Sequence, residues 1–300
     1  MSDVNKLSGP LIGIAWLMHG GAPKYPYYAA AVRAGGGIPV PLPQIMSRDL
    51  RYDEHDMLVR DMMDENGSLQ AQYAQKIKAP DFAHTNLSIA MKDIDGVFFP
   101  GGQDISPTLL RNPQPLCNHD EALDATRDVS DYLLMAYCLQ KNIPLLAVCR
   151  GEEMLGIVEG CDYVQDLADE YAACHHPYCF VHRPSADDPV QEHTRHAVKP
   201  IVKDSLFAHA VGDEILDNVA SWHHQAIRST SNTRLRVTAI SCGDEMPIIE
   251  AVEDPSRKFC LGVQFHPEND IGKQLVDGKP SKCNIEKCIG LFRALVQAAE

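Results

Sequence analysis

Three apolar runs constrain this chain most: LIGIA (Leu11 to Ala15), GVFF (Gly96 to Phe99) and LLAV (Leu145 to Val148). Each is short, lacks the polar alternation of a half-solvated strand, and leads into a loop or tight turn. Such runs suit strands buried on both faces, as in parallel sheets whose crossovers lay helices on either side. The first crossover is legible. After LIGIA comes a Gly/Pro-rich loop, then PYYAAAVRAGGG, a helix stopped by Gly35 to Gly37, then the strand IPVPL. Strand, helix and strand in so short a span make a βαβ unit. Between Arg127 and Lys141, apolar positions 129, 132, 133, 136 and 139 recur at helical spacing ahead of Leu145–Val148.

A further helix is expected from Cys149 to about Gly160, and a last one over about 284–299. Short β-like runs recur at 196–202, 217–222, 234–240, 247–252 and 259–265. The expected fold class is α/β, with a mostly parallel central sheet flanked by helices. One domain is expected over 1–300, with a partly helical insertion at 44–86 and a long loop at 168–195.

Charge and cysteine usage narrow the function. The 300 residues carry a formal net charge of −14, which argues against nucleic acid and anionic membrane surfaces as partners. No run of about 18 apolar residues is present to span a bilayer. MSDVNKLSGP lacks the apolar centre of a signal peptide, and the ten cysteines are scattered. A reduced, cytoplasmic setting with free thiols is the expectation.

The chemistry centres on PLLAVCRGEE, Pro144 to Glu153. A buried strand delivering Cys149 into a tight turn, with a helix starting behind it, is the geometry of a nucleophile elbow. That turn needs small residues two before and two after the nucleophile, here Ala147 and Gly151. The helix N-terminus is expected to favour thiolate, the attacking species. LGVQFHPE, Leu261 to Glu268, is a second apolar strand, ending in His266-Pro267-Glu268. With Pro267 keeping the segment extended, Glu268 shares a face with His266 and can orient it as base toward Cys149. Gly101-Gly102, after GVFF, permits close backbone approach. The N–H groups there, with that of Arg150, suit an oxyanion hole.

PGGQDISP, AVCRGEE, SWHHQAI and LGVQFHPE together resemble the motifs of class I glutamine amidotransferase-like proteins, nearest the peptidase C26 branch. LIGIA, AAAVRAGGGIPVPLP and VQDL (164–167) agree, so the resemblance covers nearly the whole chain apart from 44–86 and 168–195. It implies a flavodoxin-like α/β fold and a Cys-His-Glu triad that cleaves the γ-amide of a small γ-glutamyl compound through a thioester, with water as second substrate and no cofactor. Carried over, Cys149 is the nucleophile, His266 the base and Glu268 its orienter. Gly102 and Arg150 give the oxyanion N–H groups, with Gly101, Glu153, His223 and Gln225 near the substrate. A homodimer is left open.

This chain departs from the family's pattern at Ala147 and Glu159, where Gly is usual, and at Leu109 or Leu110, where Tyr is frequent. It also carries Glu153 where the family has a Gln that helps hold the glutamyl group. Two readings of Glu153 stay open. Its carboxylate simply complements the helix dipole, or it faces the pocket, opposes thiolate formation and attracts an ammonium group.

Rival readings are a glutaminase component supplying ammonia to a synthase, and a non-catalytic regulatory or binding protein on the same fold. An α/β-hydrolase is disfavoured because its acid lies between nucleophile and histidine in the chain. Cys174-His175-His176, Cys179 and His182 invite a zinc reading, but their spacing matches no common finger, so no metal is expected.

Overall fold

The computed structural model describes residues 9–17, 22–117, 123–179, 181–185 and 187–300. It opens on the expected βαβ unit: β1 (Leu11–Ile14), α1 (Tyr25–Ala34) and β2 (Ile38–Pro41). β1 and β2 pair in parallel, from Leu11 opposite Ile38 to Ile14 opposite Pro41. α1 stops at its glycines. The Gly35 N–H donates to the Ala31 carbonyl, and Gly36 takes φ 100°, a value that glycine adopts without a Cβ penalty.

Two short helices, α2 (Ala71–Lys78) and α3 (Leu87–Ala90), precede β3 (Gly96–Phe99). Then come α4 (Ala125–Lys141), β4 (Leu145–Val148), α5 (Arg150–Glu159), β5 (Asp162–Val164) and α6 (Leu167–Ala173). β6 (Thr194–Pro200), α7 (Leu206–Val211), β7 (Leu216–Ser221) and β8 (Ala226–Ser229) follow. β9 (Arg236–Cys242), β10 (Ile249–Glu253), β11 (Cys260–Val263), α8 (Pro267–Leu275) and α9 (Ile285–Ala299) complete the order.

One sheet runs β2-β1-β3-β4-β11-β10-β9-β6-β7. Its first five strands are parallel. The ladders from β11 through β10, β9 and β6 to β7 are antiparallel. β5 and β8 form a separate antiparallel pair that the sequence reading did not anticipate. Every residue of β3, β4 and β11 is buried, as their uninterrupted apolar runs require.

Parallel neighbours end on the same side of the sheet, and this places the chemistry. β4 lies between β3 and β11, with Val148 in register with Val263. Gly101-Gly102, Cys149 and His266 therefore leave the sheet along one edge, where open α/β sheets bind ligands.

Helices cover both faces. On one, Leu50, Leu58, Met62 and Leu69 pack with Val129 and Leu133 of α4. The stretch 44–86 carries α2, and its apolar side chains join the main core. On the other face, Ala31 and Val32 of α1 pack with Leu291, Phe292 and Leu295 of α9.

Two local expectations change. The start of the 168–195 loop is helical: Asp166 caps α6 by accepting from the Asp169 N–H, and Leu167 and Tyr171, one turn apart, are both buried. The segment after His266 is α8 rather than an extended run. Pro267 occupies its first turn, where a missing N–H leaves no helical bond unmade.

Gly151 docks α5 against β3. A Cβ there would lie 2.5 Å from the Phe99 carbonyl oxygen and 3.0 Å from its Cβ. Gly151→Ala is expected to lose about 1–3 kcal/mol by overpacking, read as a lower urea midpoint at unchanged m-value. An unchanged midpoint would mean that α5 can shift to make room.

Candidate active site

Cys149 joins β4 to α5 with φ 53° and ψ −114°, a strained conformation for a residue with a Cβ. Its N–H donates to the Val263 carbonyl at 2.8 Å, and its own carbonyl accepts from the Glu153 N–H at 3.0 Å. The turn lifts the side chain to the sheet edge, where it lines a cleft of about 740 Å³ shared with Gly101, Gly102, Trp222, His266 and Glu268. Sγ lies 3.8 Å from the Trp222 carbonyl oxygen.

His266 Nδ1 lies 2.7 Å from Glu268 Oε1. A carboxylate accepts, so Nδ1 carries the proton and Nε2 is left without one, available to take a proton from Cys149. Glu268 reaches His266 within the first turn of α8, so a helical turn supplies the juxtaposition expected of an extended segment.

Burial pushes the Cys149 thiol up. His266, through charge and hydrogen bond, and the Arg150 backbone N–H pull it back, while Glu153 adds to the rise. Burial works against the His266 imidazolium, but Cys149 and Glu268 outweigh it and hold it well above the ordinary range. Burial thus outweighs the groups that favour the thiolate at Cys149.

Gly101 and Gly102 are required by contact. A Cβ on Gly101 would lie 2.7 Å from His266 Cε1 and 3.3 Å from Cys149 Cβ; one on Gly102 would overlap the Arg127 guanidinium. Arg127 Nη2 donates to the carbonyls of Pro100 at 3.1 Å and Gly101 at 2.9 Å. Across a trans peptide the C=O and the next N–H point oppositely, so this turns the Gly102 N–H away from Arg127. Arg127 is tied to Asp131 at 3.3 Å, and Arg150 to Asp128 at 2.6 Å and to Asp131. The Arg150 side chain is thereby fixed behind its own N–H. Nothing in the helical periodicity of α4 signals these roles of Arg127, Asp128 and Asp131.

Three expected substrate residues lie elsewhere. Glu153 is not among the cleft-lining residues. Its carboxyl is buried, accepting from Gln264 Nε2 at 2.8 Å and from the Tyr163 hydroxyl at 3.3 Å. Burial raises its pKa, and the Gln264 hydrogen bond lowers it in part. The pocket-facing reading of Glu153 is thereby corrected, although its charge does oppose the thiolate. The Gln225 amide is used up by the Tyr163 hydroxyl at 2.7 Å and the Gln165 carbonyl at 3.2 Å. His223 turns into a buried histidine cluster and contacts the Gln225 carbonyl.

His193 was missed. It lines the cleft, and its ring stands edge-on to His266 at 5.2 Å and near Trp222 at 5.8 Å. Burial and the neighbouring His266 push its pKa down to about 2, so it is neutral at working pH. It falls in the stretch 168–195, which carries no periodic signal. His224 joins three of the quoted motifs, contacting Asp104 at 2.9 Å and Asp166 at 3.0 Å. Burial opposes its charge, but the two aspartates raise its pKa to about 9.

Fold and site together define an enzyme of the glutamine amidotransferase-like class of C–N hydrolases. The Peptidase C26 family profile matches residues 73–268, from α2 through Glu268, and the chain belongs to that family. It is 33% identical over 196 residues to Protein NtpR of Enterococcus hirae, covering 64% of this chain and 74% of that one. Over 185 residues it is 30% identical to Gamma-glutamyl-gamma-aminobutyrate hydrolase of Escherichia coli O157:H7, covering 61% and 67%. A solved protein of Thermoplasma acidophilum, described as a candidate component of GMP synthase, shares the fold at TM-score 0.51 and 13% identity, over 97% of this chain and 94% of that one.

Two measurements check this electrostatic description. Iodoacetamide is expected to label Cys149 before the core thiols Cys138 and Cys260, with peptide mapping as readout. Labelling should begin at lower pH in Glu153→Gln, because removing a nearby negative charge favours the thiolate. Equal labelling of all three cysteines in the native protein would contradict the description. The folded pKa of His224 is raised above its unfolded value, so its contribution to stability is full below about 6.5 and fades as pH rises through about 9. The fall in melting temperature between those pH values should be shallower in His224→Gln than in the wild type.

Proposed function

We propose that this chain hydrolyses the γ-amide of a small γ-glutamyl compound through a γ-glutamyl thioester. The observation that carries the reading is the meeting of Cys149, His266 and Glu268 in one cleft, with Glu268 Oε1 2.7 Å from His266 Nδ1. In this scheme Sγ attacks the γ-carbonyl carbon and its proton passes to His266 Nε2. The N–H groups of Gly102 and Arg150 receive the oxyanion. His266 returns the proton to the departing amine as the C–N bond breaks. Water then attacks the thioester, giving its proton to His266, and the γ-carboxylate leaves as the thiol re-forms. Glu268 holds the imidazole in the required tautomer throughout.

Two lysines of the cleft suit a carboxylate of the substrate. Lys24 and Lys273 line the cleft and make no ion pair among the described residues, whereas Lys279 lies 3.8 Å from Asp277. Glu192 also lines the cleft and favours an amine nearer its own position. A γ-glutamyl compound carries an α-carboxylate, and an amine such as γ-aminobutyrate carries another. The preference for an ammonium group expected from a pocket-facing Glu153 gives way to one for carboxylates.

Purified protein assayed against γ-glutamyl-γ-aminobutyrate, a γ-glutamyl anilide and glutamine tests the reading. The first is expected to be hydrolysed fastest. Activity on glutamine alone, rising with cell extract, would favour the glutaminase-component reading; no turnover of any substrate would favour a binding protein. Cys149→Ser should abolish hydrolysis, His266→Ala should lower kcat about 10²–10⁴-fold, and Glu268→Gln should lower it less. Lys273→Met should raise KM for the γ-aminobutyrate compound roughly five- to tenfold with kcat retained. An unchanged KM would remove Lys273 from substrate binding.

A further inference from the structure

Behind Trp222, outside the cleft lining, four buried side chains converge: His182 from the loop after α6, His196 of β6, His223 following β7, and Glu250 of β10. One donor atom from each lies within 4.8 Å of all the others. His182 Nδ1 is 3.1 Å from His223 Nε2 and 3.3 Å from Glu250 Oε1. Glu250 Oε1 is also 3.4 Å from His196 Nε2 and 3.8 Å from His223 Nε2. A tetrahedron with metal–ligand bonds of about 2.0–2.1 Å has edges of about 3.3 Å. These four of the six edges scatter around that value, and the two between His196 and the other histidines lie within 4.8 Å.

The outer nitrogens decide what the inner ones are. His182 Nε2 faces Asp244 Oδ2 at 3.1 Å, His223 Nδ1 the Gln225 carbonyl at 2.9 Å, and His196 Nδ1 the Ala197 carbonyl at 3.3 Å. Carboxylates and carbonyls only accept, so each outer nitrogen is the N–H of its ring. In neutral imidazoles the three inner nitrogens are then lone pairs facing Glu250 and one another. His196 Nε2 and both Glu250 oxygens have no hydrogen-bond partner. Such a set is repulsive unless something positive sits within it. That is either a metal ion or a second proton on His182, where burial opposes the charge but Asp244 and Glu250 raise the pKa to about 9.

We propose that His182, His196, His223 and Glu250 form a closed structural site for a divalent transition-metal ion of the zinc type. Three imidazoles and one carboxylate suit zinc, whereas magnesium and calcium select oxygen ligands. Asp244 and the two carbonyls orient the ligand rings from outside, the usual outer shell of such sites. The expectation of no metal is thereby revised. It concerned residues 174–182, of which Cys174 and Cys179 are exposed and only His182 takes part. The ion would tie the loop after α6 to three strands of the sheet. His182 already anchors that loop through its carbonyl, which accepts from the His223 N–H at 3.0 Å and the Ser221 hydroxyl at 2.8 Å. Trp222 lies between Ser221 and His223, so the site fixes one wall of the cleft without touching substrate.

The test uses the full chain, treated with chelator, incubated with zinc chloride, dialysed and measured for zinc by elemental mass spectrometry. Wild type and Cys149→Ser are expected to retain close to one zinc per chain, and His196→Gln and Glu250→Gln almost none. Asp244→Asn should weaken zinc affinity roughly 10–100-fold. Cobalt(II) in place of zinc should give the visible bands of a tetrahedral nitrogen-and-oxygen site without thiolate charge transfer. If the ligand variants fail to fold, the cobalt spectrum of the wild type decides by itself. The proposal is overturned if the wild type retains no zinc, or if zinc is lost with Cys149 and kept by His196→Gln. A thiolate band in the cobalt spectrum would overturn it as well. In the first case a proton shared among the histidines, rather than a metal, holds the cluster.

Discussion

The backbone of Cys149 is the constraint on which the rest of this structure depends. At φ 53° and ψ −114° it holds a conformation that a free residue would leave. Neighbours on every side keep it there. Its N–H is committed to β11, its carbonyl to the first turn of α5, and Gly151 lets α5 press onto the Phe99 carbonyl of β3. None of these elements can relax without losing register with the others. The strained turn is what raises the sulfur above the strand ends, within reach of a histidine that arrives from the neighbouring strand.

Beneath this turn lies a buried layer of charge. Arg127 and Arg150 are enclosed with Asp128 and Asp131, and the two guanidinium groups serve different backbones. Arg127 turns the Pro100–Gly101 carbonyls inward, and Arg150 is held behind the peptide that follows the sulfur. Buried ion pairs are not a dependable source of stability, because desolvation opposes the attraction. Here their geometric consequence is clearer: they fix the orientation of peptides next to the reacting sulfur. Preorganised dipoles of this kind need no rearrangement when charge develops.

On the antiparallel side, acceptors outnumber donors. His182, His196, His223 and Glu250 are packed together, and among the described residues no arginine or lysine pairs with Glu250, in contrast to the paired layer beneath the elbow. Cleft and histidine cluster are joined through Trp222, whose carbonyl meets Cys149 and whose chain neighbour belongs to the cluster. Changes in one are therefore mechanically close to the other.

What the sequence determined by itself was written in local signals. Uninterrupted apolar runs mark β1, β3, β4 and β11 because strands buried on both faces exclude polar residues, and the glycines after α1 end a helix by their own conformational freedom. Small residues around Cys149 and the His-Pro-Glu after β11 are likewise short-range patterns, as was the helical spacing within α4. The tertiary structure alone decided the rest. Most of α6 falls in the stretch 168–195 that the sequence marks as loop, and Pro267-Glu268, expected to be extended, open α8. Capping by Asp166 and the placement of Pro267 in a first turn become visible only with the helix in place. Glu153 turns from the cleft to Gln264 and Tyr163 because those partners arrive from distant strands, and Gln225 is taken by the same tyrosine. His182, His196, His223 and Glu250 share no spacing that a motif could register. Their convergence comes from the stacking of β10, β9, β6 and β7 and from a loop folded back onto them, a juxtaposition of residues far apart in the chain that only long-range packing can create.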